Sequence, residues 1–306
     1  MIAILGGLGA AVLWATATLC SSRSSRMLGS RVVLAWVMIV GVVVGLPVAI
    51  VSPGPATLEP STLALLGLAG ICYVVGLQLT YAALRVGKVS IVAPIVATEG
   101  AVAALIAVAL GDRIGPLAAL MLAVIAAGVV LSTLDPGKTD VPAGDFDLVA
   151  DAIDEPTTDA AGARPAVVDA RRTALLSVGA ALVFGVGLVA AGKSAALVPV
   201  AWVALTARVV GIIAVVVPLL LQRRLRVTRA ALPLVVVAGV GEVIGSMLSA
   251  WGSRDSIAIT AVMGSQFAAF ASVAAFFLFR ERLGRVQVVG VTLIVGGVTV
   301  LAAATA

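Results

Sequence analysis

The chain has 306 residues, of which 61% are hydrophobic and only 11% are charged. A soluble domain is usually about 25% charged, so these few charges could not cover the surface of a soluble protein of this length. Most of the surface must therefore face lipid. The net charge of +5 then bears on orientation in a membrane rather than on nucleic acid, which we do not expect as a partner.

Histidine is absent and cysteine is rare. The chain therefore lacks the commonest metal ligand and the commonest proton shuttle near neutral pH. Cys20 and Cys72 both lie in apolar runs, which is typical of small buried hydrophobic residues rather than of a disulfide. We expect no metal, no cofactor and no catalytic residues, because no nucleophile stands beside a base.

Ten apolar runs are long enough to cross a bilayer, which needs about 20 residues per helix. None of them shows the alternation of a membrane β-barrel. The sequence therefore predicts an all-α integral membrane protein with ten transmembrane helices. The predicted spans are 2–20, 32–51, 62–84, 89–110, 114–134, 173–192, 197–221, 231–251, 256–279 and 286–304.

A polar segment, 135–172, separates the first five spans from the last five. It holds nine of the 15 acidic residues, together with four basic residues and four prolines. Such a segment cannot bury enough apolar surface to offset the entropy of ordering it. We interpret it as an acidic flexible linker between residues 1–134 and residues 173–306.

The two halves repeat each other at a nearly constant offset of 169 or 170 positions. Four helix pairs and two loops share this offset; the matches include Gly9-Ala10-Ala11 with Gly179-Ala180-Ala181, Trp14 with Phe184, Gly41 with Gly211, Gly76 with Gly245, and Asp112-Arg113 with Glu281-Arg282. Because each half has an odd number of spans, the second half enters the membrane in the opposite sense. The prediction is thus two inverted five-helix repeats, an architecture on which many secondary carriers are built.

Lysine and arginine are distributed unevenly between the two sides. Connections after the first, third, fifth, seventh and ninth spans carry 16 of them, whereas the other side carries three. The positive-inside rule then predicts a cytoplasmic linker and places both termini outside the cell.

Short motifs resemble a known family. Gly111-Asp112-Arg113-Ile114 and Phe279-Arg280-Glu281-Arg282-Leu283-Gly284 each follow the fourth span of a half, and Tyr81-Ala82-Ala83-Leu84 leads through Ser90 to Ala93-Pro94. These motifs resemble those of EamA-type members of the drug/metabolite transporter superfamily. The resemblance implies a multi-pass carrier, commonly an exporter, of small metabolites. We expect it in a cell membrane, namely the plasma membrane of a bacterium. It also implies cytoplasmic termini, whereas our prediction follows the charge count.

Three ionisable residues lie near the middle of predicted spans. Glu99, Arg208 and Glu242 follow the starts of their runs by 10, 11 and 11 residues, which places each about 15 Å deep. A charge at that depth is costly unless it faces a partner or water. Arg208 and Glu242 could form an ion pair that holds two helices together, Arg208 could bind a solute carboxylate, or Glu99 or Glu242 could line a solute path and exchange a proton.

Polar and aromatic residues occur at the same depth. Trp14, Tyr73 and Gln266 lie within spans rather than at their ends, and Gln266 needs a hydrogen-bond partner in hydrocarbon. Each could line a cavity or serve only helix packing. Pro47, Pro94 and Pro218 are expected to interrupt helices, which would free backbone carbonyls for hinging or solute contact.

The leading functional hypothesis is therefore a secondary active transporter that works by alternating access and exports a small solute. An ion channel or divalent-cation pathway is the alternative, but it would favour a ring of carboxylates, whereas the sequence has only two acids at mid-membrane depth and one arginine. The sequence leaves open whether the protein acts alone or as a homodimer.

Overall fold

The computed structural model describes residues 1–54, 59–86, 89–133 and 170–271, with a few isolated positions between 286 and 300. Throughout these ranges the regular secondary structure is helical. The eleven α-helices are α1 (Ile2–Leu28), α2 (Ser30–Val51), α3 (Pro60–Val86), α4 (Val89–Ala97), α5 (Glu99–Ala109), α6 (Pro116–Thr133), α7 (Ala170–Ala195), α8 (Val200–Gly211), α9 (Val217–Leu221), α10 (Leu232–Gly252) and α11 (Ile257–Gly264).

Six helical segments are long and apolar enough to cross a membrane: α1, α2, α3, α7, α10 and the composite segment Val200–Leu221. Three further apolar helices are shorter. The protein is therefore a multi-pass helical membrane protein, as the sequence predicts, while the count of ten spans stays a prediction. Most of the predicted linker, the Phe279–Gly284 motif and most of the tenth predicted span lie outside the described residues.

Two predicted spans are broken in the middle. The fourth consists of α4 and α5, joined at Thr98, whose N–H and Oγ1 both donate to the carbonyl of Ile95, at 3.2 and 2.7 Å. The ninth is interrupted after α11, where Gln266 N–H donates to the carbonyl of Met263 at 3.2 Å. The two breaks lie next to each other, because a Cβ at Gly100, two residues after Thr98, would lie 2.7 Å from Cβ of Ser265.

The expected effect of the prolines is only partly seen. The break after α4 lies four residues beyond Pro94, and Pro218 follows a π-helical turn, Ile212–Val216, that interrupts the seventh predicted span. The expectation for Pro47 was wrong, because α2 continues through it to Val51. A proline removes one backbone hydrogen bond, and here the helix continues for another turn.

Helices of the two halves pack against each other in antiparallel pairs. A Cβ at Gly41 of α2 would lie 2.7 Å from Cγ of Arg208 on α8, and a Cβ at Gly211 would lie against Sδ of Met38. As the residue number rises along α2 it falls along α8, so these two helices run in opposite directions. They occupy equivalent positions in the sequence repeat.

Contacts between α1 and α10 correspond to those between α3 and α7. A Cβ at Gly245 of α10 would meet Nε1 of Trp14 on α1 at 2.7 Å. At the equivalent positions, a Cβ at Gly76 of α3 would meet the ring of Phe184 on α7 at 2.6 Å. In both pairs the glycine allows an aromatic side chain to lie directly against the neighbouring helix backbone.

The turn Gly111-Asp112-Arg113, which belongs to the first family-like motif, holds the two broken spans together by hydrogen bonds. Gly111 has a φ of +100°, a backbone conformation that favours glycine. The Asp112 carboxylate accepts hydrogen bonds from Ala258 N–H at 2.9 Å and from Ser256 Oγ at 3.2 Å. It thus satisfies one free backbone N–H at the N-terminus of α11, where a negative charge is also favoured by the helix dipole.

Candidate functional site

A cavity lies among α1, α3, α5, α7, α8 and α10, and about 90 Å³ of it is open to the centres of water molecules. A single water needs about 10–15 Å³ by this measure, so the cavity has room for several waters or a small organic group. Small, aromatic and ionisable residues form its wall. The polar and aromatic lining residues are Trp14, Thr18, Tyr73, Thr80, Tyr81, Glu99, Phe184, Arg208, Glu242, Ser246, Ser249, Ser253 and Phe267.

Five of the six residues singled out from the sequence line this cavity: Trp14, Tyr73, Glu99, Arg208 and Glu242. Gln266 does not. Its side chain is buried and its Nε2 donates to the carbonyl of Val262 at 3.2 Å, within its own helical segment. The predicted need for a hydrogen-bond partner is therefore met locally for Nε2, whereas the buried Oε1 has no partner among the described residues. The next residue, Phe267, lines the cavity instead.

A chain of hydrogen bonds connects two opposite charges through a tyrosine. The hydroxyl of Tyr73 on α3 donates to Oε2 of Glu242 on α10 at 2.6 Å. The same hydroxyl accepts a hydrogen bond from Nη2 of Arg208 on α8 at 2.7 Å. Hydrogen bonds to charged groups are the shorter and stronger ones, so the phenol stabilises both charges at once.

The direct ion pair considered from the sequence is not what the structure contains. Within the described ranges the only salt bridge joins the Met1 ammonium to Asp255 at 3.5 Å. Arg208 and Glu242 are instead separated by the Tyr73 hydroxyl. Tyr73 and Glu242 are 169 positions apart, the offset of the sequence repeat, so equivalent positions of the two halves meet at the site.

Arg208 is held on several sides and has no exposed surface. Its guanidinium carbon lies 4.3 Å from the centre of the Tyr73 ring, a cation–π geometry. Its Nη2 also donates to Ser246 Oγ at 3.0 Å, and Ser246 Oγ donates to the backbone carbonyl of Glu242 at 2.7 Å. Both Nη2 protons are thus used within the protein, and the side-chain stem packs against Gly41.

Glu99 is in a different environment. It begins α5 immediately after the break at Thr98, and it is 5% exposed. Across the described part of the chain, its carboxylate has neither a hydrogen-bond partner nor an ion-pair partner. An isolated carboxylate so deep in an apolar protein is costly, and the open space next to Glu99 is the cavity that it lines.

Aromatic rings form the rest of the wall near the charges. The rings of Tyr73 and Phe184 have centroids 6.4 Å apart and an interplanar angle of 68°, an edge-to-face contact. Trp14, at the position equivalent to Phe184, lines the cavity through α1. Two aromatic residues related by the sequence repeat therefore contribute to the wall of one cavity.

Sequence reasoning missed Phe184 and Ser246 as site residues. Phe184 could have been found by carrying Trp14 across the repeat by 170 positions. Ser246 follows Glu242 by four residues, and this spacing places both on one face of a helix. Nothing in the sequence indicates that Ser246 accepts a hydrogen bond from Arg208.

The comparisons with known proteins agree with this architecture. Residues 1–134 match the EamA-like transporter family, which belongs to the drug/metabolite transporter superfamily. The resemblance inferred from the motifs is confirmed, and the match lies in the part of the chain before the polar segment. This is a family of membrane transporters and not of enzymes.

Several solved structures resemble the chain, among them a crystal structure that aligns over almost its whole length. It has a TM-score of 0.69 and 17% sequence identity, and the alignment covers 97% of this chain and 95% of that chain. At this level of identity the likeness concerns the fold alone. No curated protein sequence matches the chain significantly.

Proposed function

We propose that the protein is a secondary active transporter that exports a small metabolite or drug-like solute in exchange for protons. The solute binds in the cavity described above, and the two halves of the chain, as inverted repeats, rock against each other to open the cavity to one side of the membrane at a time. The observation that carries the proposal is the convergence of two carboxylates, one guanidinium and several aromatic rings on one buried cavity.

The packing of equivalent helices supports the inverted-repeat part of the proposal. The helices α2 and α8 are equivalent in the sequence repeat and run antiparallel. The pairs α1–α10 and α3–α7 make corresponding contacts at glycines. Two packed units of opposite sense can exchange their contacts when one tilts relative to the other, which is the usual basis of alternating access.

Proton exchange is proposed for the two buried carboxyl groups. When a solute enters, a proton on the Glu99 or Glu242 carboxyl group leaves for solvent, and a proton returns from the opposite side after the solute has left. Burial in apolar surroundings disfavours the charged carboxylate, so an empty site tends to keep its proton. Solute and proton would then compete for one site, which is sufficient for coupled antiport.

The alternative of an ion channel or divalent-cation pathway is less well supported. A cation pathway favours a ring of carboxylates, whereas Glu99 and Glu242 are the only acidic residues among the described ones that line the cavity. Glu242 is already hydrogen-bonded to Tyr73, so the cavity does not present a ring of free carboxylates.

Uptake into inside-out vesicles tests the proposal. Amino acids, purines and amine drugs are to be screened with and without an imposed pH gradient. We expect gradient-dependent uptake of at least one solute, and we expect Glu99→Gln or Glu242→Gln to abolish or uncouple it while the protein still inserts. Full coupled activity in both variants, singly and combined, would contradict the proton-exchange role.

A further inference from the structure

We propose that the cavity selects organic cations with an apolar body, and that the carboxylate of Glu99 is the group that pairs with the positive charge of the solute. This inference rests on the proposed transport function and names the substrate class of the same site. It follows from a difference among the charged residues of the cavity: Arg208 and Glu242 have hydrogen-bond partners, whereas Glu99 has none among the described residues.

When both carboxyl groups are ionised, the cavity has one more negative than positive charge, because Glu99 and Glu242 face a single Arg208. The Arg208 guanidinium is connected through Tyr73 to Glu242. These two opposite charges are therefore already linked inside the protein. The charge that remains without a partner among the described residues is that of Glu99.

Arg208 is poorly placed to bind an anion. It has no exposed surface, its Nη2 protons are both donated, and the Tyr73 ring covers one side of it. A solute carboxylate would have to displace Tyr73 from both of its charged partners before it could reach the guanidinium. The site therefore disfavours anions, and it gives little advantage to the carboxylate of a zwitterion.

Glu99 is placed to receive a cation. It lines the cavity with its carboxylate unpaired, and the burial of the site strengthens any charge pair formed there. The rings of Trp14 and Phe184 line the same cavity. Aromatic faces attract cations and also accept apolar surface, so a positively charged nitrogen on an apolar body matches both parts of the wall.

Three ligands of similar shape but different charge test this selectivity. Phenyltrimethylammonium carries a permanent positive charge, tert-butylbenzene is its neutral isostere, and benzenesulfonate is an anion of comparable size. Binding is to be measured by titration calorimetry on the full-length protein in lipid nanodiscs at fixed salt. We expect the ammonium to bind at least about tenfold more tightly than either of the others.

Glu99→Gln removes the charge while keeping the size of the side chain. It is expected to weaken binding of the ammonium by about tenfold or more and to leave binding of tert-butylbenzene nearly unchanged. Glu59→Gln is the matched control, because Glu59 is an exposed carboxylate before the start of α3 and lies outside the cavity. Its binding constants should equal those of the unmodified protein.

Several results would overturn the inference. They are equal or tighter binding of benzenesulfonate, no binding of the ammonium by folded protein, or unchanged ammonium affinity in Glu99→Gln. The comparison of the three ligands needs no variant, so a Glu99→Gln protein that fails to fold leaves the test intact. Coupled transport of an anion would overturn the inference about cations but not the carrier proposal. Selective cation binding without any transport would overturn the carrier proposal but not the inference about cations.

Discussion

Among the described residues, the Tyr73 hydroxyl is the one group that hydrogen-bonds to both charges of the linked pair. It donates to Glu242 and accepts from Arg208, at 2.6 and 2.7 Å. Removing it would leave a buried carboxylate oxygen and a buried guanidinium N–H without this partner, and an unsatisfied buried charge is more costly than a lost neutral hydrogen bond. The site therefore depends on a residue that has no charge of its own at neutral pH.

Tyr73→Phe should lower the free energy of unfolding by about 1–3 kcal/mol, because hydrogen bonds to charged groups are lost while the ring is kept. The change is to be measured as a shift in the thermal melting of purified protein. Tyr81→Phe is the comparison, since Tyr81 also lines the cavity but does not bridge the charged pair. A larger loss in Tyr81→Phe than in Tyr73→Phe would contradict this assignment.

The depth of each residue along its helix could be predicted from the sequence, whereas its hydrogen-bond partners could not. The rise of a helix fixes depth, so counting residues placed Glu99, Arg208 and Glu242 at one level, and the structure brings them to one cavity. Depth does not determine which way a side chain points around the helix axis. That is why Gln266, in a segment broken at its own position, lies outside the lining, and why the intervening tyrosine was not anticipated.

At the scale of the elements, glycines set how closely the two halves approach. The α2–α8 crossing has Gly41 against the Arg208 stem and Gly211 against Met38. A side chain at either glycine would push against a neighbour that contributes to the site or lies next to it. In the sequence Gly41 is one of the positions that the two halves share, and the structure shows that it packs against the buried arginine.

Gly41→Ala should destabilise the protein by about 1–3 kcal/mol and reduce transport, because the new Cβ would lie 2.7 Å from Cγ of Arg208. Gly67→Ala on α3 is the control, since a Cβ there meets no atom within 4 Å. Alanine at an unstrained helical site is neutral or slightly stabilising. Equal effects of the two substitutions on melting and uptake would contradict the role given to the α2–α8 contact.

The paired helix breaks are a second feature at this scale. Thr98 separates α4 from α5 directly before Glu99, and the break after α11 lies against Gly100. Pro94 indicated an interruption in this span. The break itself lies four residues after Pro94, where Thr98 makes its hydrogen bonds with Ile95. Local hydrogen-bond competition of this kind is hard to read from sequence because several threonines and serines could provide it.

At the scale of the whole molecule, the repeat in the sequence made the packing between halves interpretable. Tyr73 and Glu242, at equivalent positions, touch across the site, and Trp14 and Phe184 line the same cavity. The orientation of the protein in the membrane depends on charges in its connections, for which the charge count and the family resemblance give opposite expectations. It remains a prediction from the charge count.

Single cysteines can decide the orientation in a background without Cys20 and Cys72. Gln222→Cys lies in the arginine-rich connection after α9, and Ala196→Cys lies in the connection after α7; both positions are exposed. The positive-inside rule predicts that a membrane-impermeant maleimide labels Ala196→Cys on intact cells and labels Gln222→Cys only after permeabilisation. The reverse pattern would place the termini in the cytoplasm.

The central claim, that the charged cavity opens alternately to the two sides of the membrane, is tested most directly by a cysteine within it. Ala204 lines the cavity beside Arg208 and is small enough to be replaced by cysteine. We predict that a membrane-impermeant thiol reagent modifies Ala204→Cys from either side, and that reversing the pH gradient raises the rate on one side while lowering it on the other. Modification from one side only, at a rate independent of the gradient, would contradict the account.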